Sequence, residues 1–263
     1  MKSDKELSTT PASSRMILFQ RMEIKYLIDR TIRTKLARDL SALMRPDSYT
    51  CKEGSYVVRS LYYDTPDFRA YHDKVAGAAE RHKLRVRVYG RDPRQSPIIR
   101  FEVKSRYVSF IHKITLDFPL EEYEEIEPVI FGRAMPPDKV LQDQYLSKEF
   151  FRIQRQYNME PKILVQYRRE AYERMEINRV RVNFDDELVA SRNLELLAPL
   201  KAARSLLKYG NSIFEIKVDG GLPFWMHNLI SKYNLQNRAF SKYCQSVRSE
   251  ARFTAEARPA IYN

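Results

Sequence analysis

Five segments of the chain alternate charged and apolar residues with a period of two. They are Arg21-Met22-Glu23-Ile24-Lys25, Lys83-Leu84-Arg85-Val86-Arg87, Arg100-Phe101-Glu102-Val103-Lys104, Arg179-Val180-Arg181-Val182-Asn183 and Phe214-Glu215-Ile216-Lys217-Val218. Successive residues of a strand point to opposite faces, so each segment carries its charges on one face and its aliphatics on the other. Together they predict a sheet with one face in a hydrophobic core and the other presenting mostly cations. Strands are expected at about Met16–Ile28, Tyr56–Asp64, Arg81–Tyr89, Ile98–Arg106, Phe110–Phe118, Lys162–Arg174, Arg179–Phe184 and Ser212–Val218. They are rich in Val, Ile, Tyr and Phe and bounded by turn residues such as Asp92-Pro93 and Gly220-Gly221.

Helical spacing falls between these strands. Ile32, Leu36, Leu40 and Leu43 predict one helix, Leu120, Tyr123, Glu127 and Ile130 a second, and Val140 to Tyr157 a third. Trp225, Leu229 and Tyr233 predict a fourth, and a C-terminal helix is expected to begin at Ser241 and Lys242. Residues 1–14 and 249–263 lack periodicity and read as loose tails around one domain spanning 15–248. The class is α+β. The expected architecture is a closed, eight-stranded, mostly antiparallel β-barrel with flanking helices, because closure removes sheet edges and turns one face of every strand toward a lumen.

Charge sharpens this picture. Forty-six Lys and Arg against 34 Asp and Glu give a formal net charge of +12, which favours an anionic partner. If helices cover the aliphatic face, the lumen holds Lys25, Arg85, Arg87, Lys104, Arg169, Arg181 and Lys217, with Glu23, Glu102, Asp185 and Glu215. Confined cations repel one another unless carboxylates, metal ions or an anionic ligand compensate. A linear polyphosphate is narrow and accepts many charge-assisted hydrogen bonds, so it meets that need. Two scattered cysteines, Cys51 and Cys244, form no disulfide framework, and the four histidines have no metal-ligand spacing. There is no Walker loop, dinucleotide fingerprint or nucleic-acid-binding motif, and no apolar run of membrane-spanning length. Glu121-Glu122-Tyr123-Glu124-Glu125 reads as a solvated helix face.

These segments resemble a known family. Arg21 to Tyr26, Ser60-Leu61-Tyr62-Tyr63-Asp64-Thr65, Lys83 to Gly90 and Phe101-Glu102-Val103-Lys104 carry the likeness in its first half. Tyr167 to Tyr172, Arg179-Val180-Arg181 leading to Asp185, Phe214 to Lys217 and Phe240-Ser241-Lys242-Tyr243 carry it in the second. In order and spacing they are similar to the triphosphate tunnel metalloenzymes, and most to the VTC branch of polyphosphate polymerase domains, including its bacterial members.

The resemblance implies a triphosphate tunnel in which the terminal phosphate of ATP passes to a growing polyphosphate chain. It implies that Lys25, Arg85, Arg87, Lys104, Arg169 and Lys242 act at the reacting phosphates. Lys83, Lys113, Arg181, Lys217 and Ser241 would bind substrate, and Glu215 would hold Mn²⁺ or Mg²⁺ with Glu23. Alternatives stay open for several residues. Glu23 either assists the metal or holds Lys25 or Arg21 in place, Arg181 and Asp185 either contact substrate or pair across the lumen, and the register of Lys113 depends on the short turn before it. The hydrolase and cyclase branches carry Glu-x-Glu-x-Lys on the first strand; here Arg21 replaces the first Glu, which tilts the expectation from hydrolysis toward transfer. A metal-dependent tunnel triphosphatase and a non-enzymatic polyphosphate- or anion-binding module are the competing readings. ATP and polyphosphate are the expected ligands, with no nucleic acid. The expected location is cytoplasmic, with the inner face of a membrane as the alternative and membrane coupling left to a separate partner.

Overall fold

A computed structural model describes residues 21–108, 110–136, 146–175 and 178–250. In chain order the elements begin with β1 (Arg21–Ile28), α1 (Arg30–Ser41), β2 (Arg45–Pro46), α2 (Ser48–Glu53), β3 (Tyr56–Asp64), α3 (Arg69–Ala76) and β4 (Glu80–Gly90). They continue with β5 (Ile98–Tyr107), β6 (Phe110–Pro119), α4 (Tyr123–Ile130), α5 (Leu146–Gln156), β7 (Glu160–Met175) and β8 (Arg179–Ser191). The last are β9 (Arg204–Ser205), β10 (Ser212–Asp219), α6 (Phe224–Lys232) and α7 (Lys242–Ser249). The expected strand over Met16–Gln20, the start of the Val140 helix and most of both expected tails lie outside the described residues.

Eight strands form one continuous antiparallel path, β1-β10-β8-β7-β3-β4-β5-β6, with β2 and β9 attached at its side. The sheet curls but does not close, which corrects the expectation of a closed barrel: β6 and β1 share no ladder. The cause is a competitor for the β1 edge. Asn237 bridges to Tyr26, and the Arg238 amide donates to the Lys25 carbonyl at 2.9 Å. The two ends still approach each other, since Lys104 of β5 reaches Glu23 of β1 at 3.6 Å.

The aliphatic faces lie outside, under helices. Leu84, Val86, Val88, Phe101 and Val103 are buried against Ile126, Val129 and Ile130 of α4 and Phe150, Phe151 and Ile153 of α5. Val180, Val182, Ile216 and Val218 are buried with Leu36 and Leu40 of α1 and Met226 and Leu229 of α6. Each such side chain contributes roughly 1.5–3 kcal/mol of transfer free energy, enough to fix which strand face turns outward and therefore which turns inward. Asp29 starts α1 by accepting from the Ile32 amide at 2.8 Å.

One helix breaks the two-layer pattern. α7 lies on the charged face, where Tyr243, Cys244 and Val247 pack on Val58, Tyr62, Ile163, Val165 and Tyr167. Asp64 anchors it: its carboxylate accepts from the Tyr243 hydroxyl and from the Ala70 and Tyr71 amides at the start of α3. The Tyr63-Asp64-Thr65 segment therefore ties α3 and α7 to the end of β3. Among the described residues, no helix is long and apolar enough to cross a membrane.

Candidate functional site

The inward face surrounds a cavity of about 840 Å³. Fourteen Lys and Arg side chains line it against three carboxylates, Glu23, Glu102 and Glu215. Strand register brings the predicted residues together. Lys83 stands opposite Lys104, which stands opposite Lys113, and Arg85 stands opposite Glu102. Lys113 is placed by the tight β5–β6 connection, which pairs Tyr107 with Phe110 and so sets the register of both strands. On the other side Lys25 faces Glu215 and Glu23 faces Lys217. Lys25, Lys83, Arg85, Arg87, Lys104, Lys113, Arg169, Lys217, Ser241 and Lys242 all lie on the cavity wall, with Glu23 and Glu215.

Arg181 does not. It shares the inward face but sits past the end of the cavity, where it donates to Asp47 at 2.8 Å. Asp47 also caps α2, accepting from the Thr50 amide at 2.9 Å, and accepts from the Tyr56 hydroxyl at 2.9 Å. The guanidinium is thus engaged in fastening α2 over that end of the sheet, and Asp185 pairs with Arg169 instead.

Three buried carboxylates organise the cations. Glu102 receives Arg85 at 2.7 Å, Lys113 at 3.0 Å and Arg87 at 3.5 Å. Burial alone would raise its pKa, but Arg85, Arg87 and Lys113 together hold it well below the usual carboxylate range. Glu215 behaves alike: burial is outweighed by Lys217, Lys25, Lys242 and Arg169. Asp185 accepts both nitrogens of Arg169 at 2.7 and 2.8 Å and meets Lys242 at 2.5 Å. That contact raises Lys242 despite its burial.

Carboxylates are too few to settle every cation. Burial pushes Lys83 down to about 8, with Lys74 and Lys104 adding repulsion. Lys217 is also pushed down to about 8, because burial and the Arg169 charge outweigh its share of Glu215. The cavity thus holds a surplus of positive charge that the protein does not neutralise.

Several lining residues escaped the sequence reading. Arg81 and Arg106 continue the period-two pattern beyond its charged–aliphatic core and were legible on that ground. Lys74 and Arg248 come from α3 and α7, whose position over the cavity no local pattern reveals. Tyr62 and Tyr167 are apolar in appearance yet serve the cations: the Tyr62 hydroxyl accepts from Arg85 at 3.3 Å, and Lys242 lies 4.6 Å over the Tyr167 ring. Ser241 lines the cavity while its hydroxyl oxygen caps α7 by accepting from the Cys244 amide at 3.3 Å.

Among the described residues, no group of three or more His, Cys, Asp or Glu is placed to hold a metal ion by itself. Glu23 and Glu215 are near enough that Glu215 raises the Glu23 carboxyl, although burial is the larger upward effect and the lysines bring it down overall. Two adjacent carboxylates fit the mode in which Mg²⁺ or Mn²⁺ takes one or two protein oxygens and completes its shell with substrate phosphates and water.

A family model for the VTC domain matches residues 20–250. No curated protein matches the chain. Among solved structures, a putative adenylyl cyclase from Hippeastrum, described as having a dominant triphosphatase activity, aligns at a TM-score of 0.50 with 13% identity, over 93% of this chain and 100% of that one. That likeness is one of fold. The PH1819 protein of Pyrococcus horikoshii OT3 aligns at a TM-score of 0.46 with 12% identity, over 88% of this chain and 99% of that one.

Proposed function

The chain belongs to the VTC domain family, and from that premise we propose that it is a polyphosphate polymerase, moving the terminal phosphate of ATP onto a polyphosphate chain held in the basic cavity. The observation that carries the reading is the state of the three lining carboxylates. Each is engaged by cations, Glu102 by Arg85 at 2.7 Å and Lys113 at 3.0 Å, Glu215 by Lys217 at 3.0 Å and Glu23 by Lys25 at 2.7 Å, so none stands free to take a proton from water. Hydrolysis needs a water to be deprotonated or oriented. A phosphate acceptor arrives already ionised and needs only positioning and charge neutralisation.

Arg85, Arg87, Lys104 and Lys113 would grip the phosphates, Arg forks by paired hydrogen bonds and Lys by point charge. An acceptor phosphate oxygen bonds to the γ-phosphorus, the β–γ bridging bond breaks, and ADP carries away the electron pair. Lys25, Arg169, Lys217 and Lys242 would neutralise charge on the equatorial oxygens. Glu215, with Glu23, would hold Mn²⁺ or Mg²⁺, which supplies Lewis-acid stabilisation of the phosphoryl oxygens.

A second reading, a metal-dependent triphosphatase, is favoured by the adjacency of Glu23 and Glu215, which together could hold a divalent ion of the kind that makes water a nucleophile near neutral pH. Incubating the purified protein with ATP and Mn²⁺ and resolving products by gel and phosphate assay separates the two. ADP with acid-labile polymer and little orthophosphate is expected; orthophosphate as the main product would replace the polymerase reading with the triphosphatase.

A further inference from the structure

At one end of the sheet, two neighbouring connections present apolar side chains to solvent. The β5–β6 turn exposes Tyr107 at 37%, Val108 at 70%, Phe110 at 65% and Ile111 at 52%, and the end of α3 exposes Val75 at 52%. The Val108 amide donates to the Ala79 carbonyl at 2.8 Å, which joins the two connections into one tip. Isolated exposed apolar residues are ordinary; five from two joined connections make a patch that calls for a partner.

The chemistry of the surroundings indicates which partner. Val75 and Ile111 line the cavity, so the tip borders the opening onto its cationic interior. Behind the apolar residues stand Lys74, Arg81, Lys104, Arg106 and Lys113. Of the acidic groups at this end, Asp73 is 3.7 Å from Arg69, Glu80 3.5 Å from the His82 ring, Glu149 2.7 Å from Arg152, Glu23 3.6 Å from Lys104 and Glu102 3.0 Å from Lys113, which leaves Lys74, Arg81 and Arg106 without an ion pair among the described residues. A projecting apolar tip with a cationic collar complements a bilayer with apolar chains beneath anionic headgroups.

Val108 adds an independent sign. Its φ is 55°, a left-handed conformation that β-branched residues rarely adopt and that Gly or Asn would hold without strain. A large aliphatic group stands 70% exposed in the turn despite a backbone cost of about 1–3 kcal/mol.

We propose that this tip docks the protein on an anionic lipid surface, with the cavity opening turned toward the membrane. The inference does not depend on which phosphoryl-transfer reaction the cavity performs.

The test is co-sedimentation of the full chain with phosphatidylcholine vesicles, with and without phosphatidylserine. The comparison is with a Val108→Gly, Phe110→Ser double variant. Neither side chain lines the cavity, and Val108→Gly relieves the positive φ, so the variant should melt no lower than the wild type and respond equally to triphosphate. Wild type is expected to bind anionic vesicles, to bind neutral ones weakly, and to keep binding when triphosphate fills the cavity. The double variant should lose about tenfold in vesicle affinity. Equal binding by both proteins, or release of the wild type by triphosphate, would assign any attachment to the cavity cations and overturn the proposal. A wild-type dimer that the double variant abolishes, without vesicle binding, would make the tip a contact between copies and overturn it equally.

Discussion

The two walls of the cavity are built from the same kinds of side chain in different proportions. On the β4–β6 wall, seven cations (Arg81, Lys83, Arg85, Arg87, Lys104, Arg106 and Lys113) surround one carboxylate, Glu102. On the opposite wall Lys25, Lys217, Arg169 and Lys242 meet Glu23 and Glu215, with Asp185 buried just beneath. A wall with surplus cations is suited to gripping a polyanion and gains little from a metal. A nearly balanced wall grips weakly but can hold a divalent ion beside the phosphates. On the proposed reading, binding would fall mainly to one wall and chemistry to the other, a division that mutation can break.

The largest effect should come from the balanced wall. Glu215→Gln keeps size and hydrogen bonding but removes the charge that would hold the metal, at a cost of about 4 kcal/mol of barrier, on the order of a thousandfold in turnover. Triphosphate binding, followed by calorimetry, should survive, because the seven cations of the other wall are untouched. Full metal-dependent turnover by the variant would remove Glu215 from the metal site and direct attention to Glu23 and Glu102.

Arg85→Ala is the complementary test. It removes a half-buried guanidinium that meets Glu102 at 2.7 Å, and triphosphate affinity should fall by about 2 kcal/mol. Saturating substrate should restore most of the turnover, since the balanced wall is intact. If Arg85→Ala and Glu215→Gln each damage binding and turnover alike, the walls do not divide the labour.

The two walls were not equally legible in the sequence. The β4–β6 wall follows from strict alternation over Lys83–Arg87 and Arg100–Lys104, and helices over the aliphatic face leave that pattern one inward orientation. The partners of Arg169 and Lys242 depend on Asp185 and on α7 lying across the charged face, which is a tertiary arrangement without a local signal. Arg181 shows the limit most plainly. Its alternation with Val180 and Val182 puts it on the inward face, yet Asp47, distant in sequence, takes its guanidinium. The open edge was hidden for the same reason, since the loop at Asn237 and Arg238 that occupies β1 has no strand pattern of its own.

The finest test of the comparison is pH, because each wall holds one lysine pushed down to about 8: Lys83 on the surplus wall and Lys217 on the balanced one. Their ordinary value is 10.5, so the folded protein releases these protons earlier than the unfolded chain. The protonated forms therefore cost stability in the empty protein, and that cost is relieved as pH rises from about 8 toward 10.5. A bound polyanion reverses the preference by stabilising both charges. Triphosphate binding must then take up protons above pH 8, and each lysine that becomes charged on binding lowers the apparent affinity about tenfold between pH 7 and 9. Comparing each variant with the wild type removes the titration of the triphosphate itself. Lys83→Met should flatten the profile by about one decade, and Lys217→Met should flatten it less, because the polyanion is expected to engage the surplus wall more closely than the balanced one. Equal flattening by both would mean that the ligand contacts the two walls equally, and parallel profiles for all three proteins would show that neither lysine changes its charge on binding.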